Sequence, residues 1–77
     1  MKFKISDKVR LATKRYGDCE EDPLWGGSYG KISGTVYKIE EVNTHIARVE
    51  WTNGNRNSYE EKDLKYAYAE WDEDNNE

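Results

Sequence analysis

The sequence has one cysteine, one histidine and one proline among its 77 residues, and it has no long apolar run. One cysteine excludes an internal disulfide, and one cysteine with one histidine cannot supply the four ligands of a structural zinc site. No segment approaches the roughly 20 apolar residues that cross a bilayer, and the N-terminal residues lack the apolar stretch of a signal peptide. We therefore expect a soluble, cytoplasmic monomer with no membrane association, no metal and no other cofactor.

The composition is that of one small domain with few hydrophobic residues. Hydrophobic residues make up 35% of the chain and charged residues 36%, and the aromatics include three Trp and six Tyr. A chain of this size buries about 60–65% of its unfolded surface, so the aromatic side chains must supply much of the core. No phosphate-binding loop, nucleophile motif or metal motif is present, and we expect no enzymatic activity.

Charge is unevenly distributed along the chain. Residues 1–15 contain six basic side chains and one acidic one, whereas residues 66–77 contain five acidic side chains and no basic one. The acidic end predicts a disordered tail over residues 71–77, which either keeps the protein soluble or occupies a basic surface of a partner. The basic end either contacts phosphates or protects an edge strand from aggregation. It consists of Lys2, Lys4, Lys8, Arg10, Lys14 and Arg15.

Residue patterns predict five short strands within a domain of residues 1–70. Residues 7–12 alternate, with Val9 and Leu11 on one face, and β-branched and aromatic residues mark strands at 34–40, 45–51 and 56–60. Residues 61–64 are typical of a 3₁₀ turn with Leu64 inward, followed by a closing strand at 65–68. A final helix over residues 63–71 is the alternative. Residues 13–33 have no helical or strand-like periodicity of apolar residues, and they predict a long irregular loop. Such a loop is often functional.

The Asn53-Gly54 pair marks a hairpin. A two-residue loop would place Tyr59 on the charged face of the hairpin. A three-residue loop of Thr52, Asn53 and Gly54 places Tyr59 opposite Ala47 in the core, and it sets Glu50 opposite Arg56 as an opposite-charge pair. The sequence therefore predicts the three-residue loop.

Together these elements predict an all-β fold: a small five-stranded SH3-like barrel with a long first loop, a 3₁₀ turn before the last strand and a frayed acidic C-terminus. A resemblance rests on Gly26, Gly27, Gly30, Gly34-Thr35-Val36, Val49, Trp51, Asn53-Gly54, Asn57, Tyr59 and Asp63-Leu64. These residues resemble the repeat domain of mind bomb-type ubiquitin ligases, with its pattern G-G…G-T-V…V-x-W-x-N-G-x-x-N-x-Y…D-L. The resemblance covers about half the chain, and it implies an SH3-like barrel that binds peptide tails of other proteins.

The long loop carries the candidate binding residues. Aromatic and acidic side chains there suggest a groove for a basic or proline-containing peptide, or for a cation held against an aromatic ring. The candidates are Trp25, Tyr29, Tyr16, Glu20, Glu21 and Asp22. In the alternative, Trp25 folds back over one end of the barrel and the acids are solvated. Loose calcium binding by carboxylates between Asp18 and Asp22 is a further, weaker idea.

Three further residues near the C-terminus, Tyr66, Tyr68 and Trp71, either cover an edge of the barrel or form a partner surface. The sequence thus predicts a non-catalytic protein- or peptide-binding module, such as a small bacterial or phage accessory or modulator protein. The alternative is a nucleic-acid-associated barrel of the KOW or Tudor kind that uses the basic N-terminal strand.

Overall fold

The computed structural model describes residues 1–67, which form a single antiparallel β-sheet. Its strands are β1 (Lys8–Leu11), β2 (Gly34–Ile39), β3 (Ile46–Trp51), β4 (Arg56–Glu60) and β5 (Leu64–Tyr66), with a 3₁₀ turn at Glu61–Asp63. They lie in the order β4-β3-β2-β1-β5. The predicted all-β class and the five strands are confirmed. The sheet is open, so closure into a barrel stays a prediction.

Apolar and polar side chains alternate along the strands, so one face of the sheet lies in the core. In β3, Ala47, Val49 and Trp51 point inward and are fully buried. They pack with inward residues of the other strands because the side-chain period of two gives each strand one buried face. The rest of the core cluster is Phe3, Val9, Leu11, Val36, Tyr59 and Leu64. Among residues 1–67, no helix is long and apolar enough to cross a membrane.

The β3–β4 hairpin has the predicted three-residue loop. Ala47 lies opposite Tyr59 and Glu50 lies opposite Arg56. The Trp51 amide donates to the Asn55 carbonyl at 2.8 Å, and Gly54 has the left-handed φ of 95° that such a turn requires. Tyr59 is 1% exposed, so the assignment of its ring to the core is confirmed.

The chain after β4 also follows its predicted course. Leu64 is buried after the 3₁₀ turn, and residues 64–66 pair with β1. The helical alternative is therefore wrong for those three residues. Tyr68, Trp71, the domain boundary at residue 70 and the acidic tail lie outside the described residues.

Phe3 and Asp63 are among the buried residues that were not predicted to be in the core. Phe3 is 2% exposed and meets Tyr66 edge to face, with ring centroids 4.8 Å apart. Asp63, also 2% exposed, lies at the end of the 3₁₀ turn. Its carboxylate accepts hydrogen bonds from the Glu60 amide at 3.1 Å and from the Tyr16 hydroxyl at 2.6 Å. A buried carboxylate is tolerated here because it is bonded on several sides.

Candidate functional site

The candidate site is the long loop between β1 and β2, which crosses the molecule without regular secondary structure of its own. Two isolated bridges shape it: Leu24 lies beside Leu11, and Gly27 faces Gly30 across a tight turn. The Trp25 amide donates to the Leu11 carbonyl at 3.2 Å. These contacts hold the second half of the loop along β1.

Asp18 joins the two halves of the loop. Its Oδ2 accepts a hydrogen bond from the Ser28 amide at 2.7 Å, and its Oδ1 accepts one from the Leu24 amide at 3.4 Å. The bond from Ser28 lowers the pKa of Asp18, because it stabilises the charged form. A Cβ at Gly27 would lie 2.4 Å from Asp18 Oδ2, so this approach requires glycine.

The tip of the β3–β4 hairpin holds the segment that follows Asp18. The Glu20 carbonyl accepts hydrogen bonds from the side-chain amides of Asn53, at 2.9 Å, and Asn55, at 3.0 Å. Asn53 Oδ1 also accepts from the Asn55 amide at 3.1 Å, which fixes both side chains. The backbone at Glu20 is therefore fixed, whereas the side chains of Glu20 and Glu21 are exposed.

A chain of hydrogen bonds continues this attachment into the core. The Trp51 indole nitrogen donates to the Tyr59 hydroxyl at 2.9 Å, and that hydroxyl donates to Asp22 Oδ1 at 2.6 Å. Asn57 Nδ2 donates to the same oxygen at 2.8 Å. Burial, and next the bond to Asp22, raise the pKa of Tyr59. Asp22 is thus part of the internal framework of the fold.

The two aspartates of this segment, Asp18 and Asp22, have protein partners. Asp18 accepts backbone amides, and Asp22 accepts Tyr59 and Asn57 through one oxygen and the Cys19 thiol, at 3.6 Å, through the other. Within residues 1–67, no group of three or more His, Cys, Asp or Glu is arranged to hold a metal ion. Although the backbone bond to Asp22 lowers the pKa of Cys19, burial and the Asp22 carboxylate raise it by more.

Tyr16, another candidate, lies in the core region behind the loop. Its ring meets Tyr59 edge to face, with centroids 5.2 Å apart, and its hydroxyl donates to Asp63. Burial, followed by the bond to Asp63, raises the pKa of Tyr16 to about 12. The structure therefore gives Tyr16 a packing position rather than a place on an open groove.

Trp25 and Tyr29 are in different surroundings. Trp25 is half-buried, and the Arg10 guanidinium lies over its ring, 5.4 Å from the centroid. Arg10 itself is 7% exposed. Tyr29 is 46% exposed at the turn between Gly27 and Gly30. Of the three candidate aromatics, Tyr29 offers the most surface to a partner.

The six basic residues of the N-terminal region do not form one exposed patch. Arg10 packs under Trp25, and Arg15 pairs with Glu60 at 2.9 Å and with Asp63 at 3.4 Å. Lys8 donates to the Thr35 hydroxyl on the sheet. The side chains of Lys2, Lys4 and Lys14 are exposed. Four of the six, Lys2, Lys8, Arg10 and Arg15, are engaged with other side chains, Lys2 through the rings of Phe3 and Tyr66.

The asparagines of the β3–β4 hairpin are the site residues that sequence reasoning missed as loop anchors. Asn53, Asn55 and Asn57 each bond a residue of the segment 20–22. Asn55 and Asn57, just before and within β4, lie on the same side because of the strand period of two, whereas Asn53 lies in the turn. The regular spacing of the three asparagines was the available signal.

Searches of family models, curated proteins and solved structures for a match to this chain found none.

Proposed function

We propose that the chain is a non-catalytic protein-binding module with an SH3-like arrangement of strands, and that the segment 20–30 of its first loop is the binding surface. The resemblance to the mind bomb-type repeat domain supports a peptide as the ligand. The main support is that hydrogen bonds at Asp18, Glu20 and Asp22 anchor the loop to the rest of the fold. The side chains of Glu20, Glu21 and Tyr29 are nevertheless exposed.

Anchoring favours binding because the loop needs little further ordering when a partner arrives. A flexible segment loses conformational entropy when it binds, and this loss weakens the affinity. A loop that is already ordered in the free protein does not lose that entropy on binding. Asp18 accepts the Ser28 amide, so the acidic turn and the turn that carries Tyr29 are joined by a direct hydrogen bond. Loops fixed on a scaffold are the usual carriers of binding residues.

The exposed side chains select the chemistry of the partner. Glu20 and Glu21 are adjacent and exposed, and their side chains have no partner among residues 1–67, so they are available to an arginine or lysine. Tyr29 adds an aromatic surface that packs against a proline ring or a cation. A short basic peptide that contains proline fits this combination.

The proposal predicts saturable binding of an arginine- and proline-containing peptide by the full chain. In two-dimensional NMR of the ¹⁵N-labelled protein, the amides of residues 20, 21 and 28–30 and the Trp25 indole signal should shift. The double variant Glu20→Gln and Glu21→Gln should weaken binding about five- to tenfold, since each exposed ion pair contributes up to about 1 kcal/mol. Raising the salt concentration should weaken binding moderately.

Glu41→Gln is the matched control, because Glu41 is an exposed acid in the connection between β2 and β3. It should leave the affinity unchanged. A peptide with glutamine in place of arginine should bind more weakly than the basic one. Equal binding of the two peptides, or shifts that leave out residues 20–30, would contradict the proposal.

A further inference from the structure

The sheet has a second surface, the face opposite the core, which the loop reaches at β1, where Trp25 packs over Arg10. Strand register places one row of side chains across four strands: Lys8, Thr35, Glu50 and Arg56. The next row holds Lys38, Arg48 and Ser58. We call these seven residues, together with Tyr37, the outer face.

The outer face is mostly cationic, although the whole chain has a negative net charge. The protein carries a net charge of -4, yet the outer face has four cationic side chains and one acidic one. That acid, Glu50, pairs with Arg56 at 3.5 Å, and Glu60 follows Ser58 on the same side of β4. Lys38 lies directly opposite Arg48 on the neighbouring strand. Like charges in that position destabilise a sheet. An ion pair between Arg48 and Glu40, which follows β2, offsets part of the repulsion.

An aromatic ring lies among these cations because of a bulge in β2. The register between β2 and β3 shifts between Val36 and Lys38, which makes Tyr37 the extra residue. The Arg56 guanidinium lies over the Tyr37 ring, 5.0 Å from its centroid, so the ring is on the outer face. Bulges commonly re-aim a side chain in this way.

We propose that the outer face binds single-stranded nucleic acid. Lys8, Lys38, Arg48 and Arg56 contact successive phosphates, which replace Glu40 and Glu50 as the partners of the two arginines. A base stacks on Tyr37 beside Arg56. Charge complementarity supports a polyanion as the occupant, and an aromatic ring among cations favours unpaired bases over a duplex, because stacking requires an exposed base face. This surface is separate from the loop site, so neither proposal depends on the other.

The test is fluorescence anisotropy of a labelled 15-nucleotide oligothymidylate titrated with the full chain at low and at moderate salt. The affinity should fall with salt by about 0.7 logarithmic units per logarithmic unit of salt for each phosphate contacted. The variant Lys38→Gln with Arg56→Gln should bind at least tenfold more weakly and lower that slope by about 1.4, for two lost contacts. Tyr37→Leu should weaken binding about tenfold with little change in the slope.

Lys14→Gln with Lys62→Gln is the matched control, because it removes the same charge from exposed positions outside the sheet face. It should change the affinity by less than twofold. Thermal unfolding of every variant shows whether a loss reflects unfolding. The proposal is overturned if folded wild-type protein does not bind the oligonucleotide. It is also overturned if the control pair weakens binding as much as the sheet-face pair, or if a duplex of equal length competes as well as the single strand.

Discussion

Replacing Tyr59 by phenylalanine should lower the free energy of unfolding by about 1–3 kcal/mol, the cost of leaving a buried polar group unsatisfied. The substitution keeps the ring, with its edge-to-face contacts to Trp51 and Tyr16. It removes the acceptor of the buried Trp51 indole N–H and the donor to Asp22. The segment around Asp22 should loosen as well, since one of its links to the hairpin is lost. Chemical denaturation monitored by tryptophan fluorescence measures the effect.

Tyr29→Phe is the matched control for this substitution. It deletes the same hydroxyl from a residue that is 46% exposed, and surface changes of this kind stay within about 0.5 kcal/mol. If Tyr59→Phe proved as mild as Tyr29→Phe, the hydrogen-bond chain from Trp51 to Asp22 would have no part in holding the loop.

Replacing Gly34 by alanine should be at least as damaging. A Cβ there would lie 2.5 Å from Val49 Cγ1 and 2.6 Å from Trp51 Cε3, both in the packed core. Gly34 faces Trp51 across the β2–β3 ladder, so the added methyl group and the indole cannot share the space without movement. Overpacking of this kind costs about 1–3 kcal/mol or more. A lower midpoint of thermal unfolding, with the strand signals retained, is the expected result.

A double-mutant cycle with Val49→Ala tests the cause of that loss. Removing the Val49 methyl groups opens part of the space that the new Cβ needs, so the double variant should be less destabilised than the sum of the two single changes by about 0.5 kcal/mol or more. Additive losses would show that the effect of Gly34→Ala does not arise from the contact with Val49.

The β3–β4 hairpin was predictable because several local constraints agree on it. Asn53-Gly54 marks the turn, and the choice between two loop lengths depends only on which face Tyr59 occupies. Placing Tyr59 in the core also brings Glu50 opposite Arg56, and their side chains are found 3.5 Å apart. A register in which pattern, turn chemistry and charge agree leaves few alternatives.

The course of the first loop was not predictable in the same way. Its position depends on side chains that meet residues more than 30 positions away in sequence, such as Asn53 and Asn55 at the Glu20 carbonyl. Asparagine is also typical of turns, so each residue had a sufficient local explanation. For the same reason Asp22 was predicted as an exposed ligand-binding acid, although it accepts the Tyr59 hydroxyl and the Asn57 amide.

Two charged residues show the limit of reading exposure from residue type. Arg10 was grouped with the basic residues of the N-terminal region, yet it packs against Trp25 and is 7% exposed. Asp63 was placed in the predicted 3₁₀ turn and in the Asp-Leu pair of the family resemblance with no burial expected, yet its carboxylate joins Tyr16, Glu60 and Arg15. Partners from distant segments permit such burial, and no local pattern reports them.

The central claim is that the first loop is a fixed surface, prepared for a partner by its bonds to the β3–β4 hairpin. Backbone ¹⁵N relaxation of the free protein tests it most directly. We predict order parameters of about 0.85 for residues 18–30, equal to those of the strands. Values below about 0.6 over that segment would mean a flexible loop, and they would contradict the claim.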